Sequence, residues 1–324
     1  MSTTDQRGVP ALGAGPRAGR VQRPRSLEKQ SSRRGERLVL AGLFSAAMQS
    51  GVVTVGIVLA LTAPALAFFR EVSIVEFLTG TRWTPRFAGQ ESYGVLPLVT
   101  GTAWTTAIAL TIAVPFGLGA AVYLAEYAPA RVRKTLKPVL ELLAGVPSVV
   151  YGFFALTFIA PVVLRDLLNI QVGTFSVLAA GIALGIMIIP TVASLSEDAM
   201  SAVPNSLRQG SLALGANRMR TTLRVVFPAA ISGIAASVVL GLSRAVGETM
   251  IVALAAGTQP RMVTGATEVG QTMTGFIAQT ATGESTPGTL GFNALYAVGL
   301  LLFVITLIIN VISIRLVRHF REAY

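Results

Sequence analysis

Two side chains able to bind an ion stand four residues apart inside a long apolar stretch of this sequence. Residues 225–256 are interrupted by only two charged residues, Arg244 and Glu248, in the local sequence SRAVGETMIVA. An arginine guanidinium can donate two parallel hydrogen bonds to one anion, and a glutamate one helical turn away can hold it in place. The pair therefore predicts one of two things: an anion-binding site, or an ion pair that joins neighbouring helices.

The elements that carry this pair are predicted to cross a membrane. Of the 324 residues, 52% are hydrophobic and 13% are charged, whereas a soluble domain carries about 25% charged residues. The sequence contains five runs without a charged residue, and each is longer than the roughly 20 residues that a helix needs to cross the hydrocarbon. With the stretch around Arg244, the chain is predicted to be an all-α, multi-pass plasma-membrane protein with six spans. The five uncharged runs are residues 38–69, 92–125, 142–164, 167–196 and 285–314.

The distribution of lysine and arginine predicts the orientation of the spans. With the N-terminus inside, 20 basic residues lie in inside segments and 5 in outside segments. Basic residues concentrate on the cytoplasmic side, so both termini are predicted to be cytoplasmic. The net charge of +11 therefore reflects basic residues in the predicted cytoplasmic segments, and no nucleic-acid partner is expected.

The chain is predicted to consist of a tail and one membrane domain. Residues 1–37 are rich in Arg, Gly, Pro and Ser, a composition that cannot bury a core, and we expect a disordered basic cytoplasmic tail. Residues 38–324 are expected to form the six-helix domain. On the outside, Trp83, Phe87 and Tyr93 are expected at the membrane interface, and residues 269–279 are expected to form a short helix.

The inside loop between the fourth and fifth spans, about residues 197–228, predicts a short surface helix. Pro204 precedes helix-compatible residues that Asn205 is suited to cap, and Gly215 ends the pattern. Leu207, Ser211, Leu214 and Arg218 share one face by helical spacing. Such a helix, presented by two spans, suits docking of a cytoplasmic protein.

This loop resembles the EAA loop of ABC importer permeases of the MetI-like family. In QGSLALGANRMRTTLRVVFPAAISGI, Gly215 and the Phe227–Pro228 pair fit the family pattern, whereas Gln209 replaces its first acidic residue. The resemblance implies a coupling helix that sits in a cleft of an ATPase subunit. The residues expected to contact it are Ser206, Leu207, Gln209, Ser211, Leu214, Gly215 and Arg218.

Further stretches resemble the permeases of Pst-type phosphate importers. They are ELLAGVPSVVYGFFAL, IMIIPTVASLSEDAMSAVP and GLSRAVGETMIVALAAG, and FLTGTRWTPRF before the second span is similar to the C subunit. The resemblance covers the chain from Leu38 onwards. It implies an ATP-driven phosphate importer with three partners: a homologous permease (PstA-like), a cytoplasmic ATPase dimer (PstB-like) and an external phosphate-binding protein (PstS-like).

The sequence predicts no catalytic centre of its own. None of its three lysines follows a glycine, as the phosphate-binding loop of an ATPase requires, so ATP is expected to be used by the partner. There is no cysteine and one histidine, and we expect no cofactor and no metal. A permease for molybdate, sulfate or a polar nutrient stays open as an alternative, as does a stand-alone channel or secondary transporter.

The substrate path is expected to include four residues. A charge at the centre of a bilayer costs at least about 2.5 kcal/mol, so Arg244 should face protein or water, with Glu248 on the same face of a helix over residues 231–256. Ser148 and Tyr151, beside Pro147, are expected to line the path. Near the inner surface, Glu126 and Glu141 are expected to pair with the basic residues between them, Arg131, Arg133, Lys134 and Lys137.

Overall fold

The computed structural model describes residues 33–85, 89–283, 286 and 288–319. Most of the predicted tail, residues 1–37, lies outside these residues. Helix α1 begins at Arg33, so the last residues assigned to the tail are helical. The chain divides into two compact units, residues 1–55 and 56–324. In the first, the described residues belong to α1, and residues 35–55 expose their side chains.

The described residues are almost entirely helical, with one isolated bridge between Trp83 and Tyr93. Three segments have the wider π-helical hydrogen bonding: Tyr123–Tyr127, Ala155–Leu167 and Thr222–Val226. The α-helices are α1 (Arg33–Glu71), α2 (Ile74–Thr79), α3 (Leu96–Val122), α4 (Ala130–Ala144), α5 (Ser148–Phe154), α6 (Val177–Ser201), α7 (Asn205–Ala213), α8 (Arg218–Thr221), α9 (Phe227–Ala229), α10 (Ile231–Gly247), α11 (Met250–Ala255), α12 (Met273–Thr282) and α13 (Leu290–His319).

Five of the six predicted spans are confirmed as helices long and apolar enough to cross a membrane, and the fifth is present as a bent pair of helices. The two helices of this pair, Arg218–Ala229 and Ile231–Gly247, meet at 71° and give a sixth crossing if the pair counts as one span. The predicted continuous helix over residues 231–256 is wrong, because α10 ends at Gly247 and a new helix starts at Met250. The other five helices that are long and apolar enough to cross a membrane are Gly35–Glu71, Leu96–Tyr127, Ser148–Leu167, Val177–Ser201 and Leu290–Arg315.

Small residues allow α3 and α6 to pack closely at the centre of the second unit. A Cβ placed on Gly181 would lie 2.7 Å from Ile108, and one on Gly185 would lie 3.0 Å from the carbonyl oxygen of Ala109. Spans associate through such small-residue contacts because lipid provides no hydrophobic driving force between helices. Helices α3 and α6 are therefore closely packed along this contact.

Two of the aromatic residues expected at the interface, Trp83 and Tyr93, are buried within the protein. Trp83 and Tyr93 are 1% and 5% exposed, and their rings pack edge-to-face with each other and with Phe276 and Phe68. Both rings pack inside the protein because the segment folds back onto α12, and their place at the membrane interface stays a prediction; Phe87 lies outside the described residues. Burial, followed by the neighbouring Glu91 carboxylate, raises the pKa of Tyr93 to about 12. The expected short helix over residues 269–279 is present as α12, displaced by a few residues.

A backbone contact in this segment leads to a testable prediction. A Cβ on Gly94 would lie 2.2 Å from the carbonyl carbon of Gly80, and a backbone cannot yield as a flexible side chain can. We expect Gly94→Ala to destabilise the fold by about 3 kcal/mol, the upper end of the usual cost of overpacking. Gly119→Ala is the control because a Cβ at Gly119 meets nothing within 4 Å. Equal melting temperatures of the two purified variants in detergent would contradict the prediction.

Candidate functional site

The helix predicted over residues 231–256 breaks at Glu248, and the side chain of Glu248 caps the helix that follows. Glu248 has extended backbone angles, with φ −66° and ψ 132°. Its Oε1 accepts hydrogen bonds from the backbone N–H groups of Met250 (3.1 Å) and Ile251 (3.5 Å) at the start of α11. Its carbonyl oxygen accepts a hydrogen bond from the Thr274 hydroxyl of α12, at 2.7 Å. The carboxylate thus satisfies backbone donors that would otherwise lack partners.

Arg244 lies three residues before the end of α10 and turns towards α6. Its side chain is half-buried, and its Nη1 donates to the Thr191 hydroxyl at 3.1 Å. Arg244 and Glu248, both in the described part of the chain, form no ion pair. The expected pairing is wrong because it requires a continuous helix between the two residues.

The structure brings α5 close to the same break. Tyr151 of α5 is buried, and its hydroxyl donates to the Leu143 carbonyl at 3.0 Å. A Cβ on Gly152 would lie 3.2 Å from the Cα of Ile251, so the backbones of α5 and α11 are in close contact. Ser148, the first residue of α5, is half-buried. Helix α5 therefore packs against α11, directly after the broken stretch.

Sequence reasoning missed most of the polar contacts along α10. The Ser196 and Ser237 hydroxyls, both buried, are 2.6 Å apart and link α6 to α10. Ser243 donates to the Asn310 side chain at 2.9 Å and links α10 to α13. The available signal was the occurrence of polar residues inside apolar spans, since such residues usually find partners on neighbouring helices.

An ionic cluster attaches the surface helix α4 to the end of α6. Arg133 and Lys137 pair with Glu197, which is fully buried, and Lys137 also pairs with Asp198. The Ser201 hydroxyl donates to Glu197 Oε1 at 2.8 Å. Hydrogen bonds to Asp198 and Glu197 raise the pKa of Lys137 above its ordinary value, so its ammonium stays charged at neutral pH.

The expected partners of the cationic segment were therefore wrong. Arg133 and Lys137 do not bind Glu126, and Glu141 forms no ion pair with a described residue. The reason is geometric: Arg133 and Lys137 lie four residues apart on one face of α4, and that face packs on α6. Glu126 is instead bound by Arg208.

The predicted surface helix between the fourth and fifth spans is present as α7. Gly215 ends it with φ +82°, a left-handed conformation that favours glycine. Leu214 is 91% exposed. Asn205 does not cap α7; its Oδ1 accepts a hydrogen bond from Arg208 Nη1, at 3.3 Å.

The predicted coupling residues do not all lie on one helix. Ser206 and Gln209 are exposed on α7, whereas Leu207 is half-buried against the bundle. Arg218 was expected on the same face as Leu214, but it begins α8, because Gly215 turns the chain and Asn217 caps the new helix. The Ser211 hydroxyl lies 2.9 Å from that of Thr221 and joins α7 to the segment that follows.

Comparison with known families identifies the class of protein. Residues 113–323 match the family described as "Binding-protein-dependent transport system inner membrane component". The chain belongs to this family of transport permeases. The matched region contains α7 and the break between α10 and α11, so the features described above are part of the permease domain.

Several named proteins are similar to this permease in sequence. It is 40% identical over 236 residues to the "Probable ABC transporter permease protein YqgH" of Bacillus subtilis, covering 72% of this chain and 75% of that protein. It is 36% identical over 281 residues to the "Phosphate transport system permease protein PstC 1" of Mycobacterium tuberculosis, covering 76% and 82%. The PstC of Haemophilus influenzae is 34% identical over 257 residues, covering 73% and 79%.

Solved structures agree with this permease in fold. An ABC transporter "involved in the import of the acidic polysaccharide alginate" aligns with a TM-score of 0.62 at 16% identity, covering 90% of this chain and 98% of that chain. The MetNI methionine ABC transporter, in an inward-facing conformation, aligns with a TM-score of 0.52 at 19% identity, covering 71% and 95%. At such identities the likeness concerns the fold alone.

Proposed function

We propose that this chain is the membrane-spanning permease subunit of an ATP-driven importer of inorganic phosphate. The observation that carries the proposal is the similarity to several proteins named as PstC phosphate permeases, at 33–36% identity over about three quarters of the chain. A homologous permease would complete the translocation path, and an external phosphate-binding protein would deliver the substrate. ATP would be bound and hydrolysed by a separate ATPase dimer.

The break between α10 and α11, at residues 247–249, is the proposed place of the substrate path. Irregular backbone at membrane depth is tolerated only where protein buries it or where it lines a water-filled cavity. Gly247 is exposed, and Glu248 and Thr249 are half-buried, so this stretch fits the lining of a path. Arg244, one turn earlier, would offer its fork of donors to a phosphate, and Ser148 and Tyr151 of α5 are proposed to line the same path.

Phosphate uptake tests the proposal directly. The gene for this chain, with its partner genes, would be expressed in cells that lack their own phosphate permease, and labelled phosphate would be counted. We expect ATP-dependent uptake that unlabelled phosphate inhibits, and that sulfate and molybdate do not. Uptake of sulfate or molybdate in place of phosphate would establish the other oxyanion, and anion flux from this chain without nucleotide would establish a channel.

Two exposed leucines at the end of α7 lead to a second prediction. Leu212 and Leu214 are 50% and 91% exposed, and burying a leucine against a partner contributes roughly 2 kcal/mol. We expect the double variant Leu212→Asp, Leu214→Asp to lower ATPase binding and phosphate uptake at least about tenfold. The measurement is the amount of ATPase that co-purifies with the tagged permease. The control is Leu167→Asp, which changes an exposed leucine at the end of the third span that lies away from α7. Normal ATPase binding by the double variant would exclude α7 as the docking helix.

A further inference from the structure

The π-helical turn Tyr123–Tyr127 at the end of the second span is contacted by two arginines from residues 205–221, which contain α7 and α8 and are called the coupling segment below. Arg208 of α7 donates from Nε and Nη2 to Glu126 Oε1, at 3.1 and 3.0 Å. Arg218 of α8 places its guanidinium carbon 5.3 Å from the centre of the Tyr127 ring. Two helices of the coupling segment therefore bind neighbouring residues of one turn.

The contact between Arg208 and Glu126 is largely removed from water. The side chain of Glu126 is 7% exposed and that of Arg208 is 18% exposed. Ion pairs at the surface are loosened by water and salt, whereas a desolvated pair keeps its geometry. In addition, α7 contains no fully buried residue, so this guanidinium is a main part of its attachment to the spans, beside the half-buried Leu207.

The same guanidinium also binds the end of the fourth span. Its Nη2 donates to the Met200 carbonyl at 2.8 Å, and its Nη1 donates to the Val203 carbonyl at 2.5 Å. These carbonyls belong to the last turn of α6 and the residues after it, where backbone acceptors lack partners within the helix. Arg208 thus joins α7 to the ends of the second and fourth spans.

We propose that Arg208 and Glu126 are the positioning pair that carries movement of α7 into the second and fourth membrane spans. The pair touches neither ATP nor substrate; it makes α7 move together with the spans. This proposal rests on the proposed function, because it requires an ATPase that displaces α7. Without the pair, the ATPase would still bind the exposed face of α7 and hydrolyse ATP, but the spans would follow its movement less closely.

The test is the number of phosphate ions transported per ATP hydrolysed by the complete complex in proteoliposomes. We expect Arg208→Gln to lower this ratio at least about tenfold, within the usual range of coupling between sites. ATP hydrolysis should stay within about threefold of wild type, because α7 keeps its ATPase contacts. Arg131→Gln, which removes an exposed arginine from α4, is the matched control and should keep the wild-type ratio.

A double-mutant cycle separates a functional pair from two independent residues. If Arg208 and Glu126 act together, Glu126→Gln should lower the ratio, and the double variant should be no worse than Arg208→Gln. Losses that multiply, or wild-type ratios in both single variants, would overturn the proposal. If Arg208→Gln does not assemble, Arg208→Lys and the nearly isosteric Glu126→Gln provide the same test.

A distance measurement makes the test independent of the transported substrate. The chain contains no cysteine, so spin labels can be attached at Ala213→Cys on α7 and Phe116→Cys on α3, both exposed positions. We expect a narrow distance distribution in the otherwise wild-type complex and a broad one with Arg208→Gln. Equal widths in Arg208→Gln and Arg131→Gln would overturn the positioning role alone, whereas absent phosphate uptake by the wild-type complex would overturn the proposed function alone.

Discussion

Arg244→Gln is expected to lower phosphate uptake by about 100-fold while the importer still assembles. A charge-assisted hydrogen bond contributes at least about 1.5 kcal/mol, and losing two of them from a phosphate in transit corresponds to roughly two factors of ten in rate. The fold should persist, because a glutamine amide can still donate to the Thr191 hydroxyl that Arg244 Nη1 contacts. The measurement is initial uptake of labelled phosphate, normalised to the amount of assembled complex in the membrane.

Two further variants determine what the Arg244 result means. Arg244→Lys keeps the charge but loses the planar fork, and we expect an intermediate rate. Glu248→Gln should have a small effect, because a glutamine oxygen can still accept from the N–H groups of Met250 and Ile251. Normal uptake by Arg244→Gln would reduce this residue to a contact between α10 and α6. A severe loss in Glu248→Gln would show that the charge of Glu248, beyond its capping bonds, is required.

Removing both cations that bind Glu197 is expected to destabilise the permease more than removing Glu197 itself. The Glu197 side chain is 1% exposed, whereas those of Arg133 and Lys137 are 38% and 28% exposed. The double variant Arg133→Gln, Lys137→Gln leaves a buried carboxylate without a counter-ion, which costs about 3–5 kcal/mol. Glu197→Gln leaves two cations that water can reach, and its cost should be about 1–2 kcal/mol.

Thermal unfolding in detergent measures this asymmetry. Adding Glu197→Gln to the double cation variant should recover part of the lost stability, because the uncompensated charge is then gone. Lys134→Gln, which removes an exposed cation of α4, is the control and should change the melting temperature little. Equal losses in the double cation variant and in Glu197→Gln would contradict the explanation based on burial.

The number of spans and the position of α7 were predictable from the sequence. A bilayer accepts a helix only if it presents about 20 apolar residues in succession, and the uncharged runs correspond to the observed spans. Likewise, Pro204 and Gly215 act through their own backbone geometry, so they bound α7 whatever surrounds it. These features depend on local composition and conformation.

The break at Glu248 was not predictable in the same way. The sequence SRAVGETMIVA is compatible with a continuous helix, and its apolar content is the same whether the helix bends or not. What stabilises the break is a set of contacts from elsewhere, including the Thr274 hydroxyl, 26 residues away, which donates to the Glu248 carbonyl. The predicted Arg244–Glu248 pair failed for this reason.

The sequence by itself determined that this chain is an all-helical permease with six spans and an exposed α7, and its motifs indicated the phosphate importers. Only the tertiary structure decided which charges meet. Glu126 has four basic residues within eleven positions, yet it binds Arg208, 82 residues away, while Arg133 and Lys137 bind Glu197. The physical reason is that crossing a membrane is a property of each segment and its solvent, whereas ion pairing depends on which helix ends the packed bundle brings together.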